Sequence, residues 1–440
     1  MNRKQRIVAW AFIIGTVAGL MSDVIAGYIT PAFEGRRWLA VGVFISSSLV
    51  GLWLALRQRE EEQPRTTQLP TLRTSPEQQP SEHLAIQSTI TPSPYTVGHP
   101  VDPANFFGRR EEVGRVFGVI GGQQVQSVSL LGLRRSGKTS FLRYVAHPPV
   151  MARYLSDPSD YLLVFVDLQS GVTTPVDFYQ KVSEALAAAV GISSPLDRFD
   201  QPQLRHVEAV LEAAAPRRVL ILLDEFDRLT TYPVFNEAFF TGLRSLVTDN
   251  QLGWVTTSYR NLYELGRQLK VPQTSPFFNI FSTSIYLGAL TPSEADELII
   301  QPALSARQPF STDDVVWLKT LAGQVPAFLQ KAAQALFEAR RRDPDGPVAR
   351  REAKQEFTRW AEHHFSYYWE TLTEKEQDLL TQIATGDTSI SFFANTLQQG
   401  DTTVDDLVSY ALVAESEDRY YIGGVALANW ISRQVRKASG

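Results

Sequence analysis

One run of eight residues, Gly132-Leu133-Arg134-Arg135-Ser136-Gly137-Lys138-Thr139, constrains this chain more than any other segment. It fits the pattern G-x-x-x-x-G-K-[ST]. The apolar run Val128 to Leu131 precedes it and reads as a strand, and Phe141 to Val145 follows and reads as the start of a helix. A strand, a glycine turn and a helix in that order make a cradle for phosphate: the glycines let the backbone curl so that successive N–H groups point at an anion, and the helix N-terminus adds its positive dipole end. On this reading Gly132, Arg135, Ser136, Gly137, Lys138, Thr139 and Ser140 line a nucleotide site. Lys138 reaches the β- and γ-phosphates, and the Thr139 hydroxyl ligates Mg²⁺.

A phosphate loop alone can neither hold a metal ion nor aim a water. The run Val219-Leu220-Ile221-Leu222-Leu223-Asp224-Glu225 supplies what is missing. Five apolar residues ending in two carboxylates read as a buried parallel strand whose C-terminal tip emerges at the ligand edge of a sheet. Asp224 is the candidate Mg²⁺ partner, and Glu225 the group that orients or deprotonates the attacking water.

At 440 residues there is room for two or three domains. A net charge of −5 gives no bulk argument for nucleic acid. The absence of cysteine excludes disulfides, zinc-thiolate centres and thiol catalysis. The six histidines are scattered, and the adjacent pair His363-His364 points to opposite sides of any regular element, so no metal other than Mg²⁺ is expected.

Residues 1–58 read as a transmembrane helical hairpin. Ile7 to Ile29 and Trp38 to Leu56 are apolar stretches, each near the roughly 20 residues that cross a bilayer. Arg3, Lys4 and Arg6 before them, with Arg57 and Arg59 after, outnumber Arg36 and Arg37 in the link. Both termini and the body are therefore expected on the cytoplasmic side, at the inner membrane of a prokaryotic cell. Residues 59–100, rich in proline, serine, threonine and glutamine, read as a disordered tether.

Residues 101–290 alternate apolar strands with helical stretches, which implies a three-layer α/β fold on a parallel sheet. The expected strands after the phosphate loop are Tyr161 to Asp167, the Asp224-Glu225 strand, Trp254 to Ser258 and Ser284 to Leu287. The first of these is expected to insert between the phosphate-loop strand and the acidic strand. Residues 291–345 turn helical, opening on the cap Thr291-Pro292-Ser293-Glu294, and read as a lid. Residues 346–440 hold further helices and a hairpin near Tyr420-Tyr421-Ile422, the pattern of a winged helix.

From about Phe106 to Trp430 the chain resembles the STAND class of signal-transduction ATPases and their prokaryotic AAA-like relatives. Phe106-Phe107-Gly108-Arg109-Arg110-Glu111-Glu112 is similar to the opening motif of that class, which implies that Phe107, Gly108 and Arg109 lie near the adenine. Ser258-Tyr259-Arg260 falls where a polar sensor caps the fourth strand, so Ser258, or Thr257, is implied to face the γ-phosphate. Gly323-Gln324-Val325-Pro326 resembles the G-x-P turn of the lid with one residue added, and Pro326 is its implied nucleotide contact. The resemblance implies an ATP/ADP switch with slow hydrolysis, which assembles as a homo-oligomer and takes its signal from a protein partner, the tether or the hairpin.

Two other readings compete. A membrane-tethered DNA-binding ATPase, resembling archaeal initiators, is opposed by the acidic excess after His363, where Asp405 and Asp406 open the candidate recognition helix. An ATP-gated pore needs several hairpins to enclose a path. The spans carry little polar lining beyond Ser22, Asp23 and Ser46-Ser47-Ser48, so the hairpin reads as an anchor in contact with lipid. Arg134, Arg135 and Arg244 are candidate arginine fingers, with Arg134 and Arg135 more simply flanking phosphates in cis. The aromatic run Phe365 to Trp369 reads as core.

Overall fold

Five strands associate into one parallel sheet: β1 (Ser127–Leu131), β2 (Tyr161–Asp167), β3 (Arg218–Asp224), β4 (Leu252–Ser258) and β5 (Phe281–Tyr286). Their order is β2-β3-β4-β1-β5. The computed structural model describes residues 92–193, 202–249, 251–262, 277–343, 348–386 and 401–438. The two apolar spans, and the tether over 59–91, lie outside those residues. Among the described residues, no helix is long and apolar enough to cross a membrane.

The sheet order corrects one expectation. The strand between the phosphate-loop strand and the acidic strand is β4, and β2 lies outside β3 at the edge. Burial gives the reason. All seven residues of β4 are buried, as a central strand requires, whereas β2 is only partly covered.

Helix α1 (Arg110–Ile120) precedes β1; α2 (Lys138–Val145) and α3 (Pro148–Tyr154) follow it. Helices α4 (Pro175–Val190) and α5 (Leu204–Ala214) join β2 to β3, and α6 (Glu237–Asp249) joins β3 to β4. Side chains alternate along β3, so Leu220 and Leu222 pack with α1–α3 while Val219, Ile221 and Leu223 pack with α4–α6. The three layers expected from the sequence are present.

Beyond β5 come α7 (Pro292–Ser305), α8 (Thr312–Ala322) and α9 (Pro326–Arg342). They are followed by the 24-residue α10 (Val348–Thr371), α11 (Glu374–Thr385), α12 (Thr403–Ser409), the antiparallel pair β6 (Val413–Ser416) and β7 (Arg419–Ile422), and α13 (Val425–Ala438). One continuous hydrophobic cluster runs through all of them, so lid and C-terminal helices share a core. Thr291 caps α7 with Glu294 returning the bond, as the sequence implied. Buried Asp314 caps α8 through Ser311 and pairs with Arg340 of α9 and Arg350 of α10. Burial works against its charge, but the bonds from Arg350 and Ser311 outweigh it and hold the carboxyl below the ordinary range.

The body begins before residue 101. Tyr95, inside the segment read as tether, is buried against Phe310 and Phe337, and its hydroxyl donates to the Ile299 carbonyl at 2.5 Å. One aromatic ring with a satisfied hydroxyl outweighs a polar local composition.

Lid and C-terminal hairpin meet through glycine. Gly323 has φ +71°, and a methyl group there would collide with the Gly423 carbonyl. Gly323→Ala is expected to cost about 1–3 kcal/mol, from overpacking and left-handed strain together. An unchanged thermal midpoint would show that the two backbones are free to part.

Candidate functional site

The phosphate loop is built as the sequence requires. Gly137, at φ +96° with nothing within 4 Å of an added Cβ, turns the chain into α2 at Lys138. The first N–H groups of that helix have no acceptor within it. Arg135, at φ +69°, bends the loop before the turn. Positive φ away from glycine is uncommon and gathers where function demands it. Arg109 and Glu225 share it at the cleft, while Arg307, Ala411 and Glu417 adopt it in turns elsewhere.

Lys138 folds back on the loop, its ammonium donating to the carbonyls of Gly132 (2.6 Å) and Leu133 (3.0 Å). Burial pulls it below the ordinary lysine range, while Asp227, Asp224 and Glu225 work in the opposite direction. The Ser136 hydroxyl is buried with no hydrogen-bond partner. A turned-back cation, an orphaned hydroxyl and an open helix N-terminus fit a group rich in phosphate oxygens.

At the tip of β3, both oxygens of Asp224 accept hydroxyl bonds: Thr139 at 2.6 Å and Thr257 at 2.7 Å. Thr139 and Asp224 are thus placed together, as a shared Mg²⁺ would need. The Glu225 N–H donates to the Thr257 hydroxyl at 2.8 Å, fixing the left-handed turn. Burial raises the Glu225 carboxyl above its ordinary range, and the neighbouring charges of Asp224 and Asp227 push the same way. Burial also raises Asp227, which faces Lys138.

These groups open into a cleft of about 790 Å³. Arg135, Ser136, Gly137, Lys138, Thr139 and Ser140 line it, as do Asp224, Glu225, Phe107 and Pro326. Gly132 contributes through the carbonyl that holds Lys138. Gly108 instead sits against Leu290 and Glu294 of the lid.

Two expected roles shift. The side chain of Arg109, which also lines the cleft, is only 3% exposed and bonds Glu112 and the carbonyls of Gly288, Ala289 and Ser136. It braces the phosphate loop against the chain leaving β5. The buried Ser258 hydroxyl donates to the Arg260 carbonyl at 2.7 Å, so Thr257 is the strand-tip hydroxyl that reaches the acidic pair. Of the candidate fingers, Arg134 and Arg135 line the cleft in cis, and Arg244 is exposed on α6, outside it.

Sequence reasoning passed over several residues at the cleft. Asp227, behind the cleft wall and close enough to act on Lys138, belongs to a D-E-x-D spacing that could have drawn notice. Arg359, Trp360, His363, His364 and Tyr367 all enter from α10. Their i, i+4 spacing marks one helix face, but nothing local ties that face to the loop more than 200 residues earlier. Within the aromatic run, Phe365 and Tyr368 are buried core as expected, while Tyr367 faces the cleft.

The fold is shared with known proteins. The Walker-type ATPase PABY2304 of Pyrococcus abyssi superposes with a TM-score of 0.51 at 17% identity, over 74% of this chain and 96% of that one. The likeness shows the P-loop fold. The Aeropyrum pernix ORC2 protein, in ADPNP–ADP complexes, follows with a TM-score of 0.49 at 15% identity, over 76% and 97%. No curated protein matches the sequence. The profile of the family described as Novel STAND NTPase 2 matches residues 117–389, more than half of the chain and all of the phosphate-loop and acidic-strand machinery. The chain belongs to that family.

Proposed function

We propose that this protein is a membrane-anchored, ATP-binding and slowly hydrolysing switch. The observation that carries the proposal is the shared cleft: α10, which leads into the C-terminal helices, lines the same cavity as the phosphate loop. A nucleotide held there touches both parts of the chain, so its phosphate state can bias how they pack. Lys138 and the N–H groups at the start of α2 hold the phosphates. Thr139 and Asp224 are the residues that hold Mg²⁺, which when bound neutralises phosphate charge. Glu225 accepts a proton from, or orients, the attacking water. Phe107, Leu298 and Pro326 give the base an apolar place.

The C-terminal helices with the β6–β7 hairpin are read as a winged helix. Asp405 and Asp406 in the first turn of α12 oppose its use on DNA. The apolar spans at residues 7–29 and 38–56 anchor the body to lipid, with both termini cytoplasmic in a prokaryotic cell. Assembly as a homo-oligomer, on a cue from a protein partner, is the output.

Lys138→Ala tests the site. Losing a charge-assisted bond to phosphate is expected to weaken ATP about 10- to 100-fold. Equal affinity in wild type and variant sinks the assignment. Mass measurement of the detergent-solubilised protein, with ADP and with a non-hydrolysable ATP analogue, tests the switch; a monomer in both removes switching by assembly.

A further inference from the structure

We propose that residues 95–101 form a strap across the base end of the nucleotide cleft, and that Tyr95, its anchor in the lid, sets how fast nucleotide is released. The proposal rests on nucleotide binding in the cleft, as put forward above, and names the regulation of that site.

The strap is fixed at both ends. At one end Tyr95 is only 5% exposed, stacked on Phe310 and edge-on to Phe337, and its hydroxyl donates to the Ile299 carbonyl of α7. It belongs to the hydrophobic cluster shared by the lid and the C-terminal helices. At the other end the Val101 N–H donates to the Ser140 hydroxyl at 3.1 Å, in the first turn of α2. Asp102 then caps the turn Pro103–Asn105, and Phe106 stacks on Tyr144 of α2 with ring centres 4.4 Å apart. One anchor is therefore in the lid, and the other is on the helix that carries the phosphate loop.

Between the anchors the chain faces the cleft. Thr96, Gly98, His99, Pro100 and Val101 line it together with Phe107, Leu298 and Pro326, the residues that give the base its apolar place. Gly98, at φ +93°, bends the strap as a residue with a side chain would not do without strain. Leu298 precedes the carbonyl that receives the Tyr95 hydroxyl, so the lid anchor adjoins the base wall. Ser140 lines the cleft as the sequence implied, yet its hydroxyl is engaged by the strap.

Pinned in this way, the segment clears the base end only when an anchor lets go. Past Val101 the chain stays bound to α2 through Phe106, so the end that parts is Tyr95. A nucleotide that touches lid, strap and α2 favours the docked ring, and by linkage the docked ring slows departure of the nucleotide. The segment read as a tether runs directly into Tyr95, so tension along it acts first on this anchor.

The test is stopped-flow fluorescence of the full-length, detergent-solubilised protein with a fluorescent Mg²⁺-ADP analogue, comparing wild type, Tyr95→Ala, Tyr95→Phe and Ser140→Ala. Tyr95→Ala is expected to release the analogue about tenfold faster, with association at least as fast as in wild type. Tyr95→Phe keeps both ring contacts and loses only the bond to Ile299, and its release rate is expected to lie between the two. Ser140→Ala removes the acceptor at the other end without touching the lid core, and is expected to speed release about threefold. It carries the test if Tyr95→Ala does not fold. An opened strap eases passage in both directions, whereas a damaged lid leaves fewer competent sites and slows association. Release unchanged in these variants, or faster release with slowed association, overturns the proposal while wild-type binding leaves the site assignment standing. A wild type that does not bind the analogue overturns the site itself, and this proposal with it.

Discussion

Glu225→Gln is expected to lower ATP turnover by about 10²- to 10⁴-fold, the range a positioned general base contributes, while leaving nucleotide affinity near wild type. The substitution keeps size and hydrogen-bonding shape, and the backbone that sets the turn is held independently by the bond from the Glu225 N–H to Thr257. What it removes is a carboxylate whose basicity burial, Asp224 and Asp227 all raise. The sign of the pH dependence follows. The active form is the ionised one, so turnover is lost as pH falls through the carboxyl's own pKa, and that limb lies above the ordinary glutamate range. Phosphate release measured against pH checks both statements. Turnover in Glu225→Gln equal to wild type removes Glu225 as the base, and a parallel loss of affinity means that the side chain holds the site together instead.

The parts of this site that were legible in sequence are those whose chemistry is contiguous. Eight residues make the phosphate loop, and Asp224-Glu225 ends an apolar run that can only be a buried strand. Local rules also found the Thr291 cap and, within the aromatic run of α10, the buried Phe365 and Tyr368. Illegible parts are set by pairing over distance. That β4 enters the sheet beside β1, and β2 at the edge, depends on which neighbours cover each strand. Arg109 matches an opening motif, yet it braces the loop because carbonyls from the chain after β5 converge on it. Tyr95 lies in a stretch whose composition reads as tether, and its partners are some 200 residues away. The polar face of α10 has a helical period like any solvated face, and only the fold turns it toward the loop.

Glu376→Ala is expected to destabilise the protein by about 3–5 kcal/mol, the usual result of removing one partner from a buried ion pair. Arg260, just beyond the tip of β4, donates at 2.8 Å to Glu376 and at 2.9 Å to the Thr371 carbonyl. The two side chains are only 12% and 5% exposed, so the charge left behind on Arg260 has lost most of its water. Glu376 also accepts from the N–H and hydroxyl of Thr373, which caps α11, and the substitution therefore removes a cap as well as a pair. Arg260→Ala separates the two contributions, since it leaves the Thr373 cap intact and is expected to cost less. The pair ties the ligand edge of the sheet to the start of α11, two residues from Ser258 on one side and at the end of α10 on the other. Chemical unfolding of both single variants and the double variant gives the coupling directly. A double variant whose loss equals the sum of the singles means that the ion pair contributes nothing beyond its separate members.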